Sequence, residues 1–170
     1  PAKDYVGSII EIGTYNPTLY ASLLYPASLT NTIAVGASTD CNRRSDYSSY
    51  GTGLDFTAPS NGGWNDVPSL DPSGSAGWAD GDTMMEFGGT SAATPLAAGI
   101  GALMLSANPQ LTAAQVRSIM RKSCDKIGGV TYSGGDTGAG GWNTYYGYGK
   151  INAYLAVTNA IAATLRVVTF

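Results

Sequence analysis

The sequence predicts an α/β fold, in which helices cover both faces of a parallel sheet. Residues 32–37 (TIAVGA) form an apolar run without alternation, as expected for a parallel strand that is covered on both faces. Gly88 and Gly89 then form a turn that leads into a run of small residues with helical character. Strands and helices that follow one another in this way are typical of α/β proteins.

Small residues occupy nearly every position from 92 to 102, so this helix could pack closely on all sides. We therefore expect it to be central and buried. Pro95 is tolerated in the first helical turn, which predicts a helix start between Ser91 and Thr94. Ser91 would then lie beside free backbone N–H groups, a location that suits a nucleophile whose reaction develops an oxyanion. The alternative is that Ser91 is a simple N-cap.

Composition excludes several classes of function. The 170 residues are enough for one domain, and 44% hydrophobic with 12% charged residues fits a compact secreted protein. A net charge of −3 without a Lys/Arg run argues against nucleic-acid binding. The chain has no stretch of about 20 apolar residues, so no membrane span is predicted. It opens at Pro1 without a signal peptide, and we expect a mature form or an internal fragment.

The counts of cysteine and histidine bear directly on chemistry. Cys41 and Cys124 fit no metal spacing, and both a disulfide between them and two free thiols are compatible with the sequence. The chain contains no histidine. Because histidine is the usual base that activates a serine, this chain cannot supply that base itself.

Several other elements are predicted by local patterns. Residues 5–14 are expected to form a buried strand before Asn16, residues 54–59 a strand that ends at a proline, and residues 83–87 a strand that enters the serine turn. Thr112 and Gln115 have the form of a capping box. The helix that they begin is expected to turn its basic residues outward: Arg117, Arg121 and Lys122.

Two irregular segments are rich in glycine. In residues 60–82 we expect burial of Trp64 and Trp78 to hold the loop against the protein. Four acids of this segment could offer oxygen ligands to calcium, although their spacing favours a solvated acidic loop: Asp66, Asp71, Asp80 and Asp82. In residues 128–147 aromatic rings stand among glycines, and we interpret them as anchors to the core.

Gly89 to Pro95 (GTSAATP) resembles the G-T-S-x-A-x-P nucleophile motif of the subtilisin-like serine proteases, the subtilases. Further blocks resemble the family in the same order, and the likeness extends over nearly the whole chain. These blocks are YPA at 25–27 with IAVGA at 33–37, RSDYSSYG at 44–51 with LDFTAP at 54–59, NPQLT at 108–112, and YGKINA at 148–153.

The resemblance implies a role for individual residues. Ser91 would be the nucleophile, and Asn16 falls where the family places its oxyanion-hole asparagine, although Thr14-Tyr15 stands where the family has Ala-Gly. The family's catalytic aspartate and histidine lie on earlier elements. Residues 1–170 are therefore expected to be the C-terminal half of a subtilisin-like three-layer catalytic domain, with those two residues on a missing segment or a second chain.

The function implied by this resemblance is a secreted, proteolytically processed serine endopeptidase that acts on proteins or peptides through a Ser-His-Asp mechanism. Its chemistry would require no cofactor, and a structural calcium ion is a family expectation. One alternative is similarity to the sedolisin-type acid peptidases, in which a glutamate replaces the histidine. Another is an inactive pseudoprotease that serves as a binding or scaffold domain, which Glu11 in a buried strand and the Thr14-Tyr15 departure keep open.

Overall fold

A computed structural model describes residues 22–165 of the chain. The strand predicted at residues 5–14 and the candidate Asn16 lie outside the described residues. The strands are β1 (Val35–Ser38), β2 (Phe56–Pro59), β3 (Val67–Leu70), β4 (Thr83–Phe87), β5 (Cys124–Asp125) and β6 (Lys150–Ile151). The helices are α1 (Thr90–Ala107), α2 (Ala113–Lys122) and α3 (Ala153–Leu165), with short 3₁₀ turns at Gly74–Ala76 and Thr137–Ala139.

The predicted parallel sheet is confirmed. Its strand order is β1-β2-β6-β5, with β1, β2 and β6 parallel and β5 antiparallel to β6. β1 begins at Val35 rather than at Thr32, because Thr32 still belongs to the preceding turn. Both its N–H, at 3.2 Å, and its Oγ1, at 2.8 Å, donate to the carbonyl of Leu29. Within residues 22–165, β1 is an edge strand of this sheet.

Small and medium side chains build the core between the sheet and the three helices. Alanine predominates at these contacts, which lets helix and sheet backbones approach closely. The capping box at Thr112 and Gln115, which begins α2, is confirmed. The main core residues are Ala37, Phe56 and Ala58 from the sheet, Ala93, Ala97 and Met104 from α1, Val116 and Met120 from α2, and Ala156 and Ala160 from α3.

The expectation that α1 is buried on all sides is wrong for the described part of the chain. One side of α1 packs on β1, β2 and α3, whereas Leu103 on the other side is 56% exposed. Leu96 and Leu105 are also exposed. Small side chains permit close packing but do not supply a neighbour, and residues 22–165 provide a neighbour on one side only.

By length and composition alone, α1 would qualify as a membrane span. Its 18 residues have a mean hydropathy of 1.3, and it is the one such helix among residues 22–165. The core helix of a soluble protein satisfies the same criterion. The packing of Ala93, Ala97 and Met104 into the core is consistent with that second explanation.

A buried carboxylate joins β1, β2 and α2. The side chain of Asp55, with 0% exposure, accepts hydrogen bonds from the backbone N–H of Ala34 at 2.8 Å and from Arg117 Nε and Nη2, both at 2.9 Å. Arg121 Nε donates to the same carboxylate at 2.6 Å. The expectation that Arg117 and Arg121 face outward is therefore wrong for both, because the buried charge of Asp55, immediately before β2, draws them inward.

The long segment after β2 forms the antiparallel hairpin β3–β4, and the strand predicted at residues 83–87 is confirmed. The expected burial of its tryptophans is wrong, since Trp64 is 88% and Trp78 is 65% exposed. Carboxylates hold this segment instead. Asp40 accepts from the backbone N–H groups of Trp64 and Asn65, both at 3.0 Å, and Asn65 Nδ2 donates to it at 2.8 Å. The Asn65 amide is the largest cause of a lowered pKa at Asp40.

Aromatic side chains anchor the second glycine-rich segment, as the sequence indicates. Trp142 Nε1 donates to the carbonyl of Leu54 at 2.8 Å, and Tyr146 and Tyr148 are buried. Tyr146 Oη also accepts from the backbone N–H of Arg44 at 3.2 Å. These contacts tie the segment to the start of β2 and to the loop that follows β1.

Both cysteines are free thiols, so the disulfide considered from the sequence is not formed. Cys41 is exposed, whereas Cys124 on β5 is partly buried. Burial raises the pKa of the Cys124 thiol to about 12. Because the thiolate is the nucleophile, Cys124 is protected from thiol reagents in the folded protein.

We expect Asp55→Asn to destabilise the complete protein by about 3–5 kcal/mol, because two guanidinium groups lose their carboxylate in a buried setting. Thermal unfolding measures the effect. Asp46→Asn is the matched control, since Asp46 is exposed, and it should change the stability by less than about 0.5 kcal/mol. Equal unfolding temperatures for the two variants would contradict the role assigned to Asp55.

We expect Cys124 in the folded complete protein to react with iodoacetamide at pH 8 at least about a hundredfold more slowly than it does in the unfolded protein. Its rate should rise as the pH increases from 9 towards 12, because the thiol ionises only in that range. Mass spectrometry of the two cysteine peptides measures the labelling, with Cys41 as the exposed reference. Equal rates for folded and unfolded Cys124 would be inconsistent with its burial.

Candidate active site

Ser91 is the second residue of α1 and follows a turn that requires glycine. Gly89 is the N-cap residue and has φ 75° and ψ 175°, a region that residues with a Cβ rarely adopt. The interpretation of Ser91 as an N-cap is therefore wrong. α1 begins at Thr90, slightly earlier than predicted, so Pro95 lies in the second turn rather than the first. The missing N–H of Pro95 leaves the carbonyl of Ser91 without its usual helical donor.

The backbone N–H groups at the start of α1 differ in whether they have an acceptor within the helix. The N–H groups of Ala92 and Ala93 both donate to the carbonyl of Gly89, at 3.1 and 3.5 Å. The N–H of Ser91 comes before this first helical bond, so it has no acceptor within the helix. The half-buried Ser91 hydroxyl thus lies at the positive end of an 18-residue helix, where a developing negative charge is stabilised.

Two residues directly after β2 hold the turn. Asn61 Oδ1 accepts a hydrogen bond from the N–H of Gly89 at 2.9 Å. Ser60 Oγ donates to the carbonyl of Gly89 at 2.6 Å. Tyr47 Oη lies within hydrogen-bond distance of Ser60 Oγ, at 2.9 Å, and of Asn61 Oδ1, and these two acceptors share its single proton. The peptide groups on both sides of Gly89 are therefore fixed by side chains from another element.

The polar loop of residues 44–48 supports Ser60 and Asn61. Ser45 Oγ donates to the carbonyl of Asn61 at 2.7 Å. Arg44 Nη1 donates to the carbonyls of Ser45 and Asp46, both at 3.1 Å, and to that of Ser48. The guanidinium shapes the loop that carries Ser45 and Tyr47.

The sequence points to Ser91 as a candidate but not to Ser60 and Asn61. One signal was available, because polar residues that follow the carboxyl end of a parallel strand lie where α/β proteins place their sites. The distance of 28 residues between Asn61 and Gly89 hides their contact from any local pattern. The other candidate, Asn16, lies outside the described residues.

The described residues offer no grouped ligands for a metal ion. Residues 22–165 contain no cluster of three or more acidic, cysteine or histidine side chains. Asp71, one of the acids considered for calcium, uses Oδ2 to accept from the N–H groups of Trp78 and Ala79, at 2.7 and 2.8 Å. Within residues 22–165, the four candidate acids are therefore not gathered into one site.

A strand-to-helix turn that presents a serine hydroxyl beside free N–H groups is suited to acyl transfer. The family model described as "Subtilase family" matches residues 12–149. The chain belongs to the subtilases. The Gly89–Pro95 motif, strands β1 to β5 and helices α1 and α2 lie within the matched range, whereas β6 and α3 follow it.

Named relatives of this subtilase chain are bacterial proteases. A "Calcium-dependent protease" of Trichormus variabilis is 42% identical over 150 residues, and a "Cell wall-associated protease" of Bacillus subtilis is 32% identical over 154 residues. Each alignment covers more than four fifths of this chain, 81% and 82%, but only 22% and 16% of the relative. The chain therefore spans about a fifth of the length of these proteins.

A solved structure of a protease from Pseudoalteromonas arctica has a similar fold. It superposes with a TM-score of 0.64 at 25% sequence identity and covers 80% of this chain and 38% of that protein. It supports the α/β, subtilisin-like fold that the sequence predicts.

Proposed function

We propose that this chain supplies the nucleophile half of a serine endopeptidase. Ser91 Oγ attacks the carbonyl carbon of the scissile peptide bond. The Ser91 N–H and the Asn16 side-chain amide stabilise the oxyanion that forms. A histidine takes the proton from Ser91 and passes it to the leaving amine, while an aspartate orients that histidine.

The observation that carries this proposal is the placement of Ser91 at the start of α1, after a turn held on both sides of Gly89. A serine hydroxyl is a weak nucleophile, so its chemistry depends on position and on an adjacent base. The half-buried hydroxyl, the free N–H of the same residue and the helix terminus meet these positional needs. Family membership agrees with the same reaction class.

The base and the orienting aspartate must come from another part of the complete protein, since this chain has no histidine. We propose that an N-terminal portion of the catalytic domain, on the same or on a second polypeptide, carries both residues. Two observations support this: the apolar face of α1 that includes Leu103 is exposed, and β1 is an edge strand within residues 22–165. A further layer of the catalytic domain would cover both surfaces.

The relatives suggest where the complete protein acts and what it cleaves. The name "Cell wall-associated protease" favours an extracellular enzyme that hydrolyses proteins or peptides, and the name "Calcium-dependent protease" favours a requirement for calcium. We propose the same for the complete protein. The low charge content of the chain, 12%, agrees with this location.

We expect Ser91→Ala in the complete protein to lower kcat for peptide hydrolysis by about 10⁶-fold, because it removes the nucleophile. It should also abolish covalent labelling by a fluorophosphonate probe. Peptide mapping of the labelled wild-type enzyme identifies the modified serine.

Ser133→Ala is the matched control, since Ser133 is an exposed serine outside α1. It should leave both activity and labelling unchanged. A complete protein that hydrolyses no peptide and takes up no probe at Ser91 would instead be a pseudoprotease with a binding or scaffold role.

We expect Asn16→Ala in the complete protein to lower kcat by about 10²–10³-fold with little change in KM, the loss caused by removing one oxyanion-hole donor. Steady-state kinetics on a chromogenic peptide measures it. Asn31→Ala, at an exposed position, is the control and should retain wild-type kcat. If Asn16→Ala also retains wild-type kcat, another group donates to the oxyanion.

A further inference from the structure

Asn61 makes direct contact with the turn that delivers the candidate nucleophile. It follows β2 by two residues and lies 28 residues before Gly89 in the chain. Its Oδ1 accepts the N–H of Gly89 at 2.9 Å, and the same oxygen accepts from Tyr47 Oη. The Gly89 N–H and the Tyr47 hydroxyl thus both face the carboxamide oxygen, and they restrict its orientation.

The contacts of Asn61 and Ser60 together define the backbone of Gly89. Asn61 binds the peptide group on the N-terminal side of Gly89, and Ser60 binds the carbonyl on its C-terminal side at 2.6 Å. The rotation between these two peptide groups is set by φ and ψ of Gly89, 75° and 175°. These two angles decide where α1 starts and therefore where Ser91 Oγ is placed.

The absence of a side chain at Gly88 leaves the space that the Asn61 carboxamide occupies. A Cβ added to Gly88 would overlap the carboxamide of Asn61. Gly88 is buried and Asn61 is half-buried. Glycine is therefore needed at the two positions of the turn for different reasons. Gly89 has a positive φ, and Gly88 leaves room for the side chain of Asn61.

We propose that Asn61 is a positioning residue for Ser91, acting through the N–H of Gly89. This role rests on the proposed function of Ser91 as nucleophile. Without the Oδ1 acceptor, the peptide group between Gly88 and Gly89 is free to rotate, and Ser91 Oγ moves relative to the scissile carbonyl. A displacement of about 1 Å at a reacting atom is enough to cost about a hundredfold in rate.

The test is Asn61→Ala in the complete protein, with kcat expressed per active site titrated by a fluorophosphonate. We expect kcat to fall by about 30- to 100-fold, with KM within about threefold of wild type. Asn61→Asp keeps an acceptor for Gly89 and Tyr47, so it should recover most of that loss. Asn65→Ala is the matched control: Asn65 lies in the same segment, is exposed, and binds Asp40 rather than the turn.

Gly88→Ala supplies a second variant that keeps the Asn61 side chain in the protein. Its Cβ displaces the carboxamide, so we expect kcat to fall by a similar factor. Because both substitutions break one contact, combining Gly88→Ala with Asn61→Ala should cost no more than about threefold beyond either alone. Fully multiplicative losses would show that Gly88 and Asn61 act separately, which contradicts the proposal.

The outcomes separate this inference from the function on which it rests. If Asn61→Ala lowers the unfolding temperature but keeps wild-type kcat per titrated site, Asn61 is purely structural and the positioning role is overturned. If the wild-type protein is not labelled at Ser91, the proposed function itself fails and the positioning role falls with it. Wild-type labelling with a selective fall in kcat supports both.

Discussion

The buried carboxylate of Asp55 is the constraint on which the rest of the structure depends. It receives a backbone N–H from Ala34 and the side chains of Arg117 and Arg121, all within 2.9 Å. A fully buried charge is costly unless every oxygen is satisfied, so these partners have little freedom to move. The carboxylate thereby fixes the segment before β1, the start of β2 and the direction of α2 relative to the sheet.

Strand β2 connects the buried carboxylate of Asp55 to the candidate active site. Asp55 stands immediately before the strand, and Ser60 and Asn61 stand immediately after it. A short strand hydrogen-bonded between two parallel neighbours is rigid, so side chains at its carboxyl end are held in fixed positions. The Gly88-Gly89 turn is hydrogen-bonded to these side chains, so Ser91, the proposed nucleophile, is positioned by the sheet as well as by its own loop.

The residue types of α1 reflect two different demands. Alanines on one side bring the helix close to β1, β2 and α3, where larger side chains would not fit. Leu96, Leu103 and Leu105 extend from the other side and are exposed among residues 22–165. An exposed apolar face of this kind marks a surface where another part of a protein packs, which agrees with the proposed N-terminal portion.

The sequence by itself determined the α/β class, the family, the capping box at Thr112 and Ser91 as the candidate nucleophile, because each is encoded by neighbouring residues. It did not reveal the inward turn of Arg117 and Arg121 or the exposure of Trp64 and Trp78. The spacing of apolar residues along a helix shows which face is apolar, but it does not show which buried charge lies opposite the polar face. An aromatic ring is buried only where another part of the protein packs over it. Tertiary structure alone decided the partnership of Asn61 with Gly88 and Gly89, since contacts between residues 28 positions apart arise only when strand β2 and helix α1 pack together.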